Sequence, residues 1–196
     1  MTQQPMPDAR RPASGGSKAA ARNRAALIAA AREVYAEQGL DAPLSAIARR
    51  AGVGQGVLYR HFPGRAAVAT AVLDENVRQI EEAAARNLDL AGVLGVVTWH
   101  LTESAAFISV LHSDGKANAS EAPAYALALS QRVERALRSR LPQDHPLAAE
   151  PDDLMIAVGM ISGAVTGPTR KHRERRARAA WRLLGVEVGP VQPFEE

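Results

Sequence analysis

The chain contains no cysteine, which removes disulfide frameworks, thiolate zinc sites and cysteine nucleophiles together. Aromatic residues make up only 4% of its 196 positions. Alanine, leucine and arginine dominate instead, a composition that favours helices over a β-sandwich or barrel. No apolar run approaches the roughly 20 residues that a membrane-spanning helix needs. The opening MTQQPMPDARRPASGGSK also lacks the apolar segment of a secretory signal. A cytoplasmic, all-α protein that does not engage a membrane is expected. Catalytic constellations are missing as well: the sequence shows no nucleophile–base pair, no phosphate-binding loop and no full metal-ligand set. His100 and Glu103 lie one helical turn apart, but two ligands without a third make a weak metal site. An enzyme is not expected, nor any cofactor or metal.

Charge is unevenly spread. Residues 1–65 carry ten Lys/Arg against four Asp/Glu, whereas residues 66–169 carry seven against thirteen. A second basic cluster runs from Arg170 to Arg182. One end of the chain is therefore suited to a polyanion and the middle is not.

Residues 1–21 are rich in Pro, Gly, Ser and Gln, with too little apolar content to offset ordering entropy, and read as a disordered basic tail. From Arg24, apolar residues at Leu27, Ala31, Val34 and Tyr35 follow helical spacing up to Gly39. Short helices are expected over Leu44–Ala51 and Gln55–His61, and a long one from Arg65 to about Asn87. Further helices are expected at Leu90–Ser104, Ala106–His112, Ala122–Leu141, Asp152–Val165 and Thr169–Leu184, with a loop over Pro142–Pro151. The implied organisation is a head over 22–66, a helical body over 67–186 and a flexible C-terminal tail over 187–196.

Leu44 to Phe62 has the parts of a helix-turn-helix that reads DNA. Ile47, Ala48 and Ala51 pack the first helix, Gly52 permits a left-handed turn, Val53 fills the corner, and Leu58 with Phe62 anchors the second helix. Gln55, Gly56, Val57, Tyr59, Arg60 and His61 are left for the outer face. On that face Gln55 can pair bidentately with adenine, Val57 can rest on a thymine methyl, and Gly56 lets the backbone approach the groove wall. Packing alone would also account for Tyr59 and His61, and solvation for the arginines.

The run AIARRAGVGQGVLYRHFPGR, Ala46 to Arg65, resembles the N-terminal signature of the TetR family of regulators. The Ile-Ala pair, the Ala-Gly-Val turn and the Leu-Tyr-x-His-Phe recognition helix occur at the family spacing, and Tyr35 and Gly39 fit upstream. The resemblance covers roughly Arg24 to Val72. It implies a three-helix DNA-binding head, a linking fourth helix, and a helical domain that binds a small-molecule effector and dimerises through its last two helices. It implies phosphate contacts from Tyr59, His61 and Arg65, and base contacts from Gln55, Gly56, Val57 and Arg60. Arg22 and Arg24 open the first helix beside the duplex. Pro43 stands where the family has a capping Ser or Thr, so a phosphate contact there falls to Ser45 or backbone N–H groups. Gly54 replaces the usual Ser that starts the recognition helix, and Gln55 and Val57 stand where Lys and Thr are common.

Outside the head, Trp99, His100, Phe107, Tyr125, Met155 and Met160 are the bulky, polarizable or titratable candidates for an effector pocket, and each also suits a plain core. Gly159 and Gly163, four residues apart, would let a second helix approach closely. With the apolar stripe of Ala177 and Trp181 they form the candidate dimer seam; tight packing inside one subunit is the alternative. The expected function is a homodimeric transcriptional repressor that binds double-stranded operator DNA and is released by a small molecule. The alternative is an effector-independent dimeric regulator or architectural protein.

Overall fold

The computed structural model describes residues 14–39, 41–86, 88–113 and 122–194, and the side-chain surroundings of 16–39, 41–86, 88–104 and 124–194. The described residues form eight helices and no strand: α1 (Ser14–Gln38), α2 (Leu44–Arg50), α3 (Gln55–His61), α4 (Arg65–Ala85), α5 (Leu90–Ser113), α6 (Ala122–Arg138), α7 (Asp153–Ala164) and α8 (Arg170–Leu183). None is long and apolar enough to cross a membrane.

Two boundaries correct the sequence reading, and one loop gains detail. Helix α1 starts at Ser14, so residues 14–21 are helical and not a disordered tail. Ala, Lys and Arg in SKAAAR favour helix by intrinsic propensity, without the apolar periodicity that reveals a packed face. Helix α5 runs unbroken through Ala105, because no Gly or Pro interrupts it there. The expected loop over Pro142–Pro151 contains a single 3₁₀ turn at Pro146–Ala148, fixed by the His145 ring accepting from the Leu147 N–H at 3.1 Å.

Two apolar cores are joined by one helix. Leu27, Val34, Tyr35, Ile47, Leu58 and Phe62 pack with the N-terminal half of α4, at Val68 and Val72. The C-terminal half of α4, at Ile80 and Ala84, packs with Leu94, Leu137, Leu154, Ile161 and Trp181. A rigid rod of about 1.5 Å per residue thus has one end in each core, and tilting it moves one relative to the other.

Helix α6 holds α4 through polar groups as well as through Ala136 and Leu137 in the body core. The Tyr125 hydroxyl donates to the Thr70 carbonyl at 3.0 Å, and Arg132 bridges Asp74 at 3.0 Å and Glu81 at 2.8 Å. Arg140, just past α6, donates to the Ala84 carbonyl at 2.7 Å.

The expected flexible tail is the third correction. Gly185, at φ 69°, ends α8 by donating to Arg182 O while Val186 donates to Trp181 O, which reverses the chain. Residues 186–194 then lie on α5: Val186 and Val191 are buried, and the Gly189 N–H donates to Ala91 O at 2.9 Å. A Cβ at Gly95 would run into the Pro190 carbonyl, so only glycine admits this approach. Phe194 reaches back to the Arg86 guanidinium at the end of α4.

Candidate nucleic-acid interface

Helix α2 ends in a tight left-handed turn. Gly52 adopts φ 68°, its N–H donates to Arg49 O at 3.1 Å, and the Val53 N–H donates to Ala48 O at 3.0 Å. This pair of bonds satisfies two terminal carbonyls and sets the angle at which α3 leaves. Leu58 and Phe62 are buried beneath α3, and Val53 packs against the same core.

What faces outward follows from that anchoring. Gln55, Gly56, Tyr59 and Arg60 are exposed, while Val57, His61 and Arg65 are half-buried at the margin. Tyr59 leaves 54% of its surface in solvent, too much for a packing role. His61 leans on Phe62, and the Arg24 guanidinium sits 5.6 Å from the Phe62 ring centroid. Arg24 of α1 is thereby held at the end of α3; Arg22 and Ser45 are exposed. Neither α2 nor α3 has a side-chain cap, since Pro43 and Gly54 occupy those positions. Their first N–H groups are left to solvent or to an anion.

Adjacent arginines on α2 have opposite fates. Arg50 is pinned to α1, at 2.8 Å from Glu33 and 2.7 Å from Glu37. That hydrogen bonding raises the Arg50 pKa and lowers that of Glu37. Arg49 is exposed and forms no ion pair among the described residues. It belongs with the cationic candidates that sequence reasoning missed. The signal was present: Glu33 and Glu37 share one face of α1, and neighbouring residues on α2 point in different directions.

The body places the remaining candidates apart. His100 is buried, its ring edge-on to half-buried Trp99 with centroids 4.8 Å apart, and neither ring nitrogen has a partner. Burial first, then the Arg32 charge, depress its pKa to about 3, with Glu75 acting in opposition, so the ring is neutral. Glu103 pairs with Arg170 at 2.8 Å. Tyr125 is tied to α4, and burial together with Asp74 raises its pKa. Met155 packs on the body core; Phe107 lies outside the residues whose side chains are described. Met160 is 54% exposed, which takes it out of any internal pocket of the subunit.

The seam residues divide. Ala177 and Trp181 are buried inside their own subunit, and the Trp181 indole donates to the Thr98 hydroxyl at 2.9 Å. Their place in a dimer interface is therefore corrected: the apolar stripe of α8 is spent on α5. Gly159 and Gly163 are exposed on α7, with no atom of the described residues within 4 Å of a Cβ at either. Ile156 and Met160 flank them at helical spacing and are also exposed.

Residues 27–72 match the family described as bacterial regulatory proteins, tetR family. Over 162 residues the chain is 30% identical to the HTH-type transcriptional regulator SrpR of Pseudomonas putida, spanning 74% of this chain and 72% of that protein. It is 37% identical over 91 residues to TtgW, an uncharacterized HTH-type transcriptional regulator of Pseudomonas putida, spanning 46% of this chain and 63% of that one. Among solved structures, a TetR transcriptional regulator from Streptomyces coelicolor aligns with a TM-score of 0.54 at 25% identity, over 84% of this chain and 98% of the other.

Proposed function

Because this chain belongs to the tetR family of bacterial regulatory proteins, DNA-binding transcriptional regulators and not enzymes, we propose that it is a homodimeric repressor released from its operator by a small molecule. Helices α1–α3 with the N-terminal half of α4 form the reading head, and the chain from the C-terminal half of α4 onward forms the sensing and dimerising body. The observation that carries this reading is the sharing of α4 between the two apolar cores, with α1 also packed against α5.

Tyr59, His61, Arg65, Arg22, Arg24 and Ser45 hold phosphates. Gln55, Gly56, Val57 and Arg60 meet base edges. Two heads must lie about 34–36 Å apart to enter successive major grooves. The exposed Ile156–Gly159–Met160–Gly163 face of α7 supports a two-fold seam that sets this distance. A ligand seated near Trp99 and His100, against the body half of α4, favours the conformer in which the heads are wrongly spaced. Only differential affinity for the two conformers achieves that.

Selection of bound duplexes from a random pool tests the DNA step, with a near-palindrome of half-sites about 10 base pairs apart expected. Titration of the complex with compounds that perturb Trp99 fluorescence tests the release step. Operator affinity left unchanged at saturation would favour the effector-independent alternative for that compound.

A further inference from the structure

A cleft of about 410 Å³ opens along the seam between α1 and the middle of α4. Its polar lining is Arg24, Arg32, Arg78, Glu75 and Gln79, and its wall on α1 is Ala25, Ile28 and Ala29. The charges are not balanced. Arg78 is shared between Glu75, at 2.6 Å, and Glu82, and Gln79 donates to the Glu75 carboxylate at 3.1 Å. Among the described residues Arg24 forms no ion pair, and its guanidinium sits over the Phe62 ring. Arg32 donates to the neutral Asn76 carbonyl oxygen at 2.6 Å, and among the described residues no carboxylate lies within ion-pairing distance of it. Its Nε and the Gln79 Oε1 are buried with no partner.

A half-buried guanidinium hydrogen-bonded to a neutral amide, with Glu75 and Glu103 acting on it only from beyond ion-pairing distance, is incompletely compensated, and an anion beside it offsets that cost. The apolar wall of Ala25, Ile28 and Ala29 adds a surface that a bare inorganic ion would leave unused. We propose that the α1–α4 seam is a binding site for a small organic carboxylate, its charge set against Arg32 and its apolar part against α1. Bound there, it bridges the head's first helix and the linking helix, and so bears on how the head is seated. The site is independent of whether a separate effector binds in the body.

Benzoate serves as the probe, with benzamide as its neutral counterpart, and with inorganic phosphate and sodium chloride at matched ionic strength. The full chain is used without DNA, and the readout is the thermal unfolding midpoint. Millimolar benzoate should raise the midpoint by about 2–4 °C, as ligand binding to the folded state requires. Benzamide, phosphate and chloride should not. Arg32→Gln should abolish the shift. Since Arg32 also holds Asn76, Ala25→Trp at an exposed position supplies a second variant that fills the cleft without touching that bond, and it should abolish the shift too. An equal shift with benzamide, phosphate or chloride overturns the proposal, as does no shift with benzoate or one that survives Ala25→Trp.

Discussion

The indole nitrogen of Trp181 and the hydroxyl of Thr98 lie 2.9 Å apart across 83 residues of chain, and the same hydroxyl donates to Leu94 O at 2.7 Å. Helix α8 is therefore fastened to α5 by a fully buried bond. Trp181→Phe should lose this bond and leave a small void, costing about 1–3 kcal/mol of stability. Chemical denaturation measures it. A change confined to the dimer dissociation constant, with subunit stability unaltered, would return Trp181 to the seam.

The glycines of α7 give the second expectation. In the isolated subunit Gly163→Ala meets no neighbour, and should gain about 1 kcal/mol of helix stability. Gly163→Leu should instead insert bulk twice into a two-fold seam and weaken the dimer, with overpacking costing about 1–3 kcal/mol per site. Sedimentation with circular dichroism as the folding control decides it; a folded dimer of unchanged affinity moves the seam off this face.

Operator contacts should separate by salt and by sequence. Arg65→Ala and Arg49→Ala should weaken binding to every duplex alike, and each should lower the salt slope by about one unit. Gln55→Ala should relax one base position by roughly 1–3 kcal/mol. Fluorescence anisotropy across a salt series and a set of point-substituted duplexes distinguishes the two. Sequence-selective loss on removing either arginine would contradict its phosphate role.

Acid should weaken the fold in part through His100. The ring is held neutral down to about pH 3, whereas in the unfolded chain it takes a proton near its ordinary 6.5. Stability should fall as pH drops between those values, by roughly 1.4 kcal/mol per pH unit from this group. Glu75 and Glu81, held low by Arg78 and Arg132, act in the same sense as pH falls through their folded values. His100→Leu should flatten the profile between pH 6 and 4. Identical profiles for the two proteins would show that His100 is not buried neutral.

The head was the most legible part, because its rules are local. Gly52 announces its turn, and the spacing of Ile47, Val53, Leu58 and Phe62 specifies one packing. Helix α1 was half legible: periodicity shows where it packs, and the exposed Ala-rich turn before Arg24 packs on nothing. The docked tail was hidden, since glycine and proline in GVEVGPVQP signal a break in helix but not the surface that receives it. Trp181 misled for a related reason: an apolar stripe says that a face is covered, not by what. Arg32 and His100 draw their character from neighbours more than 40 residues away in one case, and from burial in the other.

The recognition helix carries glycine at both position 54 and position 56, and an added Cβ at either would stand in open space. Gly54 has φ −71° and ψ 151°, a conformation open to any residue, and Gly56 lies within α3. The surface proposed to touch bases is thus structurally uncommitted, while the anchors beneath it, Leu58 and Phe62, are fixed by burial. New side chains can be introduced at these positions with little effect on folding, and at Gly56 with a gain in helix propensity. Binding preference and stability are therefore nearly separate traits in this head, and selection can retune the first without endangering the second.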